Sequence, residues 1–259
     1  MSTNTKKIKS VSTRYSSIAG KMSKYAFASL CLAACIEVAG MFWVECINKY
    51  AIWNTALCAE ALLISAYSFL TLASSIYNFR GRKLKINDVV DNAFGTEIGE
   101  IHSVNYFDND EIKEGTIKLL YNTSESCFFS YRELKSMEWR VYVRTFIPLA
   151  IFVIGLLLNR AEVIMAIFRI TAIIVLIVQA VRFFLTIREL EVLHNRMMST
   201  LKHKIGRVAQ FNAESINYAL EYETVMVWYG EKIPDKVYFK LNDSLTNEWN
   251  DLKQSFVVK

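Results

Sequence analysis

Three charged side chains stand inside otherwise apolar stretches, and they are the first candidates for chemistry in this chain. Glu37 lies near the middle of residues 25–47, Glu60 about a third of the way into 52–76, and Arg169 about a third into 163–185. An ionisable group at such depth in lipid is costly unless it faces protein, water or an opposite charge. Two readings are open. The residues form an intramembrane polar path or gate, lined by Glu37 and Glu60, or they are structural, as a Glu–Arg pair or as protonated glutamates hydrogen-bonded between helices. Four spans of one subunit enclose no wide pore, so conduction needs an oligomer.

The elements that must position these residues are two apolar hairpins. One covers about 25–77 and breaks at Asn48-Lys49-Tyr50; the other covers about 143–185 and breaks at Asn159-Arg160-Ala161-Glu162. Each arm approaches the roughly 20 helical residues that cross a hydrocarbon core of about 30 Å. With 259 residues, 53% of them hydrophobic, the chain is too apolar for a soluble domain and too polar to be all membrane. The expected fold is an all-α membrane protein, with four transmembrane helices in two hairpins and a mainly helical cytoplasmic domain built from the middle insert and the C-terminal tail. Its parts are a basic leader 1–24, hairpin one 25–77, the insert 78–142, hairpin two 143–185 and the tail 186–259. Insert and tail are each short for an independent core and are expected to pack together. Two prolines and nine glycines favour long helices over a turn-rich sandwich.

Charge position sets the orientation. Lys6, Lys7, Lys9, Arg14, Lys21 and Lys24 precede the first span without an acid among them; Arg80, Arg82, Lys83 and Lys85 follow the second; Arg140 and Arg144 precede the third; Arg182 and Arg188 close the fourth. The hairpin tips carry only Lys49 and Arg160 as basic residues. The positive-inside rule therefore places both termini and the insert in the cytoplasm and both tips outside. Small residues in hairpin one (Ala26, Ala33, Ala34, Ala59, Ala66) suit close helix approach, whereas Ile, Leu, Val and Phe dominate hairpin two. Hairpin one is thus expected to be the more protein-facing.

Between the spans the pattern predicts a short helix over 83–94, a turn-like stretch over 95–109, a helix from Asp110 through Leu120 and another over 124–142 that continues into span three. The apolar stripe Leu190, Leu193, Met197, Met198, Leu201 predicts that span four continues as an amphipathic helix to about residue 204. Two further helices follow, over about 212–228 and 234–252.

No enzyme constellation is present in the sequence: no phosphate-cradling glycine loop, no Gly-x-Ser-x-Gly, no zinc spacing. The expectation is a protein without catalytic residues, metal or cofactor. His194 and His203 read as a solvated face beside Lys202. Cys31 and Cys35, one turn apart, read as packing rather than as a metal pair. Leu32-Ala33-Ala34-Cys35 imitates a lipoprotein cleavage box, but the apolar run continues through Met41-Phe42-Trp43. Asn122-Thr123-Ser124 fits the glycosylation pattern by chance, since the insert is expected inside.

Several short blocks follow one another along the chain: Asp91-Asn92-Ala93-Phe94-Gly95; Asn122-Thr123 with Phe128-Phe129-Ser130; Tyr222; Ile233-Pro234-Asp235-Lys236-Val237-Tyr238; Asp243-Ser244-Leu245; and Trp249. In this order, along most of its length, the chain resembles the SMODS-associated four-transmembrane effector family, found beside bacterial cyclic-oligonucleotide synthases in anti-phage systems. Thr246 stands where that pattern would carry Asn, and the chain is compact for the family. The resemblance implies a multi-pass effector of the bacterial inner membrane, which permeabilises the bilayer as a homo-oligomer when a cyclic oligonucleotide from a neighbouring synthase is sensed. No DNA or RNA polymer is implied. Such a ligand needs cations for its phosphates and aromatic faces for its bases. Candidates are Arg132, Lys135, Arg140, Lys202 and Lys204, with Phe128, Phe129, Tyr131 and Trp139 as aromatic neighbours, although basic residues beside spans also serve orientation alone. A small channel or transporter subunit unrelated to immunity, and a non-conducting membrane scaffold, are the alternatives.

Overall fold

The computed structural model describes residues 12–43, 50–100, 102–103, 109, 111–158, 163–203, 208–230 and 233–256. They form six helices: α1 (Thr13–Trp43), α2 (Tyr50–Phe94), α3 (Thr116–Leu158), α4 (Val163–Lys202), α5 (Val208–Tyr229) and α6 (Asp235–Gln254). There is no strand among the described residues. The protein is all-α, and four of its helices are long and apolar enough to cross a membrane.

The central helices are longer than the sequence pattern predicts. α2 has 45 residues and absorbs the expected separate helix over 83–94; α3 has 43, running from 124 into span three as expected and joining to it the helix expected to end at Leu120. The apolar-to-polar change at each membrane boundary alters what the helix faces, not its backbone, so the 3.6-residue winding continues through it. The helix expected from Asp110 starts instead at Thr116, behind Gly115 with φ 134°, a conformation outside any helix. Gly115 N–H donates to the Ala93 carbonyl at 2.7 Å and ties this turn to the end of α2. α2 itself stops at Gly95, whose φ of 64° is the left-handed conformation that closes a helix, its N–H donating to Asp91 O.

Contacts divide the chain into two units. The first to consider, here the span unit, comprises Ile18–Ile76 and Glu138–Phe183. Its core gathers Ala26, Leu30, Ala33 and Ala34 of α1, Ile64 and Tyr67 of α2, Phe152 of α3, and Ala172 and Leu176 of α4. Lipid gives apolar side chains no reason to prefer each other, so close packing and interhelical hydrogen bonds hold such bundles. Tyr67 donates to Gln179 at 3.0 Å and Ser74 to the Ala19 carbonyl at 2.9 Å. Large apolar residues point outward, Leu62, Leu157 and Val163 among them. Burial does not divide by hairpin as expected. It is 28% and 17% over the most apolar stretches of α1 and α2, against 22% and 28% for α3 and α4. Helix rotation, and not hairpin membership, sorts the faces.

The other unit, the polar unit, comprises Met1–Ser17, Tyr77–Met137 and Phe184–Lys259, so insert and tail share one core. Leu120, Phe128 and Leu134 of α3, Leu190 and Met197 of α4, Tyr222 of α5, and Val237, Leu245 and Trp249 of α6 are buried in it. Trp249 packs between Phe128 and Phe256, ring centroids 5.8 and 5.7 Å away. Asn122, fully buried, donates to Asn92 at 2.7 Å and accepts from Asn109 at 2.9 Å, while Lys253 donates to Asn109. Several of the short sequence blocks thus meet as core and buried polar network. Asn122→Leu should lower the thermal midpoint of the purified protein, because Asn92 Oδ1 loses its donor and Asn109 keeps only its bonds to Glu125 and Lys253, at about 1–3 kcal/mol for an unsatisfied buried group.

Candidate functional site

The three intramembrane charges converge within the span unit. Glu37 of α1, Glu60 of α2 and Arg169 of α4 are each fully buried. Arg169 donates from Nε to Glu60 Oε1 at 3.1 Å and from Nη2 to Glu60 Oε2 at 3.3 Å, a two-pronged grip on one carboxylate. The same Nη2 lies 2.5 Å from Glu37 Oε2. One guanidinium therefore holds carboxylates from two other helices.

α3 contributes Gly155, which the sequence reading passed over. A methyl group built on Gly155 would fall on the Glu37 carboxyl group. The missing side chain is the seat of that carboxylate, so all four spans shape the cluster. Glu37 lies six residues before the end of α1 and Arg169 six residues after the start of α4, roughly 9 Å from those ends at about 1.5 Å per residue. The cluster sits toward the hairpin tips. Two carboxylates against one cation leave an excess of acid, and separating the charges in an apolar surround is costly. The arrangement can act as a latch: shut while Arg169 bridges, and polar where it parts.

The candidates outside the apolar stretches fare unevenly. Arg132 pairs with Glu248 at 2.8 Å and lies over the Phe128 ring at 5.9 Å. Lys135 and Lys202 are exposed; Arg140 is also exposed and belongs to the span unit by its contacts, and Lys204 lies outside the described residues. Of the aromatic neighbours, Phe128 is buried and Trp139 is exposed.

His194 departs from the solvated face expected for it. Its ring packs against Phe128 at 5.5 Å and stacks on Tyr131 at 6.1 Å. Burial, then the charges of Arg132 and Lys202, lower its pKa. The signal was available, since His194 follows Leu190 by four residues and so adjoins the apolar stripe.

A second buried polar cluster was also missed. Arg82, Lys85, Asp88, Ser126, Tyr222 and Glu223 line a small cavity of the polar unit. Arg82 lies 3.5 Å from Glu223 and over the Tyr222 ring, and Tyr222 donates to the Ser126 carbonyl at 3.2 Å. Arg82 and Lys85 read as orientation charges, yet their i, i+3 spacing puts both on one helix face. Burial lowers the Lys85 pKa, with Arg82 adding to it. Burial raises Glu133 to about 7, against the pull of Lys85. Because the folded state holds this proton more tightly than the unfolded one, its contribution to stability is present at pH 4–5 and lost as pH rises through 7. Glu133→Gln should remove that loss. The variant-minus-parent stability, from thermal unfolding at pH 5 and pH 8, should grow with pH by up to about 3 kcal/mol.

Among the described residues, no group of His, Cys, Asp and Glu is arranged to hold a metal ion. Comparison with protein-family models, with curated proteins and with solved structures finds no match.

Proposed function

We propose that this chain is a multi-pass effector of a bacterial inner membrane, which permeabilises the bilayer as a homo-oligomer when its cytoplasmic part senses a cyclic oligonucleotide. The observation that carries the reading is the fully buried Glu37–Arg169–Glu60 cluster, with Gly155 beneath Glu37. Charges at such depth are retained where they serve a path or a switch, and a shared guanidinium suits a state that must be both stable and reversible. The order of sequence blocks that resembles the SMODS-associated four-transmembrane effectors supports the trigger. Helices α2, α3 and α4 each contribute residues to both units. They give a ligand-induced change in the polar unit a covalent route to the spans. A ligand moves such an equilibrium only by its differential affinity, with about 5.5 kcal/mol needed to reverse a 1:99 ratio, which several bound copies in an oligomer can supply.

The excess carboxylate favours one other reading, a constitutive cation channel or transporter subunit in which Glu37 and Glu60 face the permeating ion. Membrane potential in cells expressing the chain, followed with and without co-expressed synthases of different cyclic nucleotides, separates the two. The effector depolarises the membrane only with its matching signal. Depolarisation that ignores every nucleotide supports the channel, and an unchanged potential under all conditions refutes both.

A further inference from the structure

Around Phe128 the polar unit collects buried ring nitrogens without hydrogen-bond partners. The Phe128 ring is flanked by His194 at 5.5 Å and by Trp249 at 5.8 Å. His194 Nδ1 and Trp249 Nε1 are both buried, and neither has a hydrogen-bond partner among the described residues. Trp249 is 1% exposed, so no bulk water reaches its N–H. Buried polar atoms are normally satisfied, and two unsatisfied nitrogens on one aromatic ring need an explanation. The guanidinium of Arg132 covers the same ring at 5.9 Å. The charge of Lys202, two turns beyond His194 on α4, also reaches the imidazole. Nearby acids are already engaged: Glu248 on Arg132 and Glu191 on the Tyr131 hydroxyl.

We infer that the face formed by α3, α4 and α6 around Arg132, His194 and Lys202 binds a phosphodiester, and that the phosphate displaces Glu248 from Arg132. The inference rests on the nucleotide-triggered reading above and names the site where the trigger acts. Arg132 and Glu248 are 46% and 40% exposed at the side chain, so their pair is screened and exchangeable. A phosphodiester competes well for the guanidinium because it offers two acceptor oxygens to the planar fork. Tyr131 stacks on His194 with 19° between their planes and is only partly buried, an aromatic neighbour of the kind on which a nucleobase stacks. Displacing Glu248 frees α6 from its ion pair with α3. Ligand binding is thereby converted into a loosened helix.

An anionic lipid headgroup carries the same phosphodiester chemistry, and the test separates the two sources. Full-length protein is placed in phosphatidylcholine nanodiscs and titrated with a panel of 3′,5′-cyclic di- and trinucleotides, with tryptophan fluorescence as the readout. Arg132→Ala should weaken binding at least about tenfold. Glu248→Gln should tighten it by about threefold to tenfold, since the competing carboxylate is gone. A damaged fold cannot produce that gain, so the two variants together discriminate site from structure. If the parent binds a cyclic nucleotide and both variants match it, the site is overturned while the proposed function stands. If no nucleotide binds, but phosphatidylglycerol discs raise the thermal midpoint of the parent and not of Arg132→Ala, the nucleotide source is overturned in favour of lipid. If neither ligand has an effect, site and trigger both fall.

Discussion

Arg169→Met will disable the span unit more severely than any other single change within it. The substitution leaves the Glu37 and Glu60 carboxylates, both fully buried, facing each other without a cation. Removing one partner of a buried ion pair costs about 3–5 kcal/mol, because the remaining charge stays desolvated. Membrane insertion and the yield of monodisperse protein in detergent should fall sharply. Adding Glu37→Gln and Glu60→Gln to Arg169→Met removes the stranded charges and should restore yield. If the cluster is the latch, this neutral triple variant will insert normally yet fail to respond to the signal. Parent-like yield of Arg169→Met on its own would show that the three residues do not depend on one another.

Gly155→Ala is the second large effect, and it arises from a single methyl group. That methyl would occupy the place of the Glu37 carboxyl group, forcing it away from Arg169 while the two bonds to Glu60 remain available. Overpacking of this kind typically costs about 1–3 kcal/mol. On the proposed reading, a latch weakened by that amount should raise basal leak by roughly 5- to 150-fold. Dye release from proteoliposomes without nucleotide measures it. In a Glu37→Ala background the space is already free, so the added methyl should change little. Such non-additivity identifies the Glu37 carboxylate as what the glycine accommodates.

How much of this was legible in the sequence follows from the physics of each signal. The four spans were readable because apolar runs of that length have few other uses, and Glu37, Glu60 and Arg169 stood out as charges within them. Their convergence was not readable, because it depends on the rotation of each helix about its axis, which packing sets. Gly155 was hidden for a related reason: in a span, a glycine between Ile154 and Leu156 looks like any other small residue until its neighbour is known. The run of α3 from residue 124 into its span was legible, whereas the continuity of α2 through residues 83–94 was hidden because polarity changes at a membrane boundary while helix propensity does not. His194 was judged by its basic neighbours Lys202 and His203, when its spacing from Leu190 was the better guide. The polar unit brings residues more than one hundred positions apart into contact, as with Lys253 on Asn109, and no local pattern announces such a pairing.

The burial of Asn122 turns a chance sequence into a built-in reporter. Asn122-Thr123-Ser124 is an acceptor site for N-linked sugar, yet its asparagine is fully enclosed and hydrogen-bonded to Asn92 and Asn109. In a eukaryotic host, sugar is added while the chain is still emerging into the secretory lumen, before any such enclosure forms. Chains threaded with the insert on the cytosolic side never meet the transferase, and they migrate unmodified on a gel. Chains threaded the other way acquire a glycan that the folded unit has no room for. A glycosidase-sensitive band would therefore mark molecules whose insert entered the lumen and failed to fold, reporting orientation and folding without any added tag.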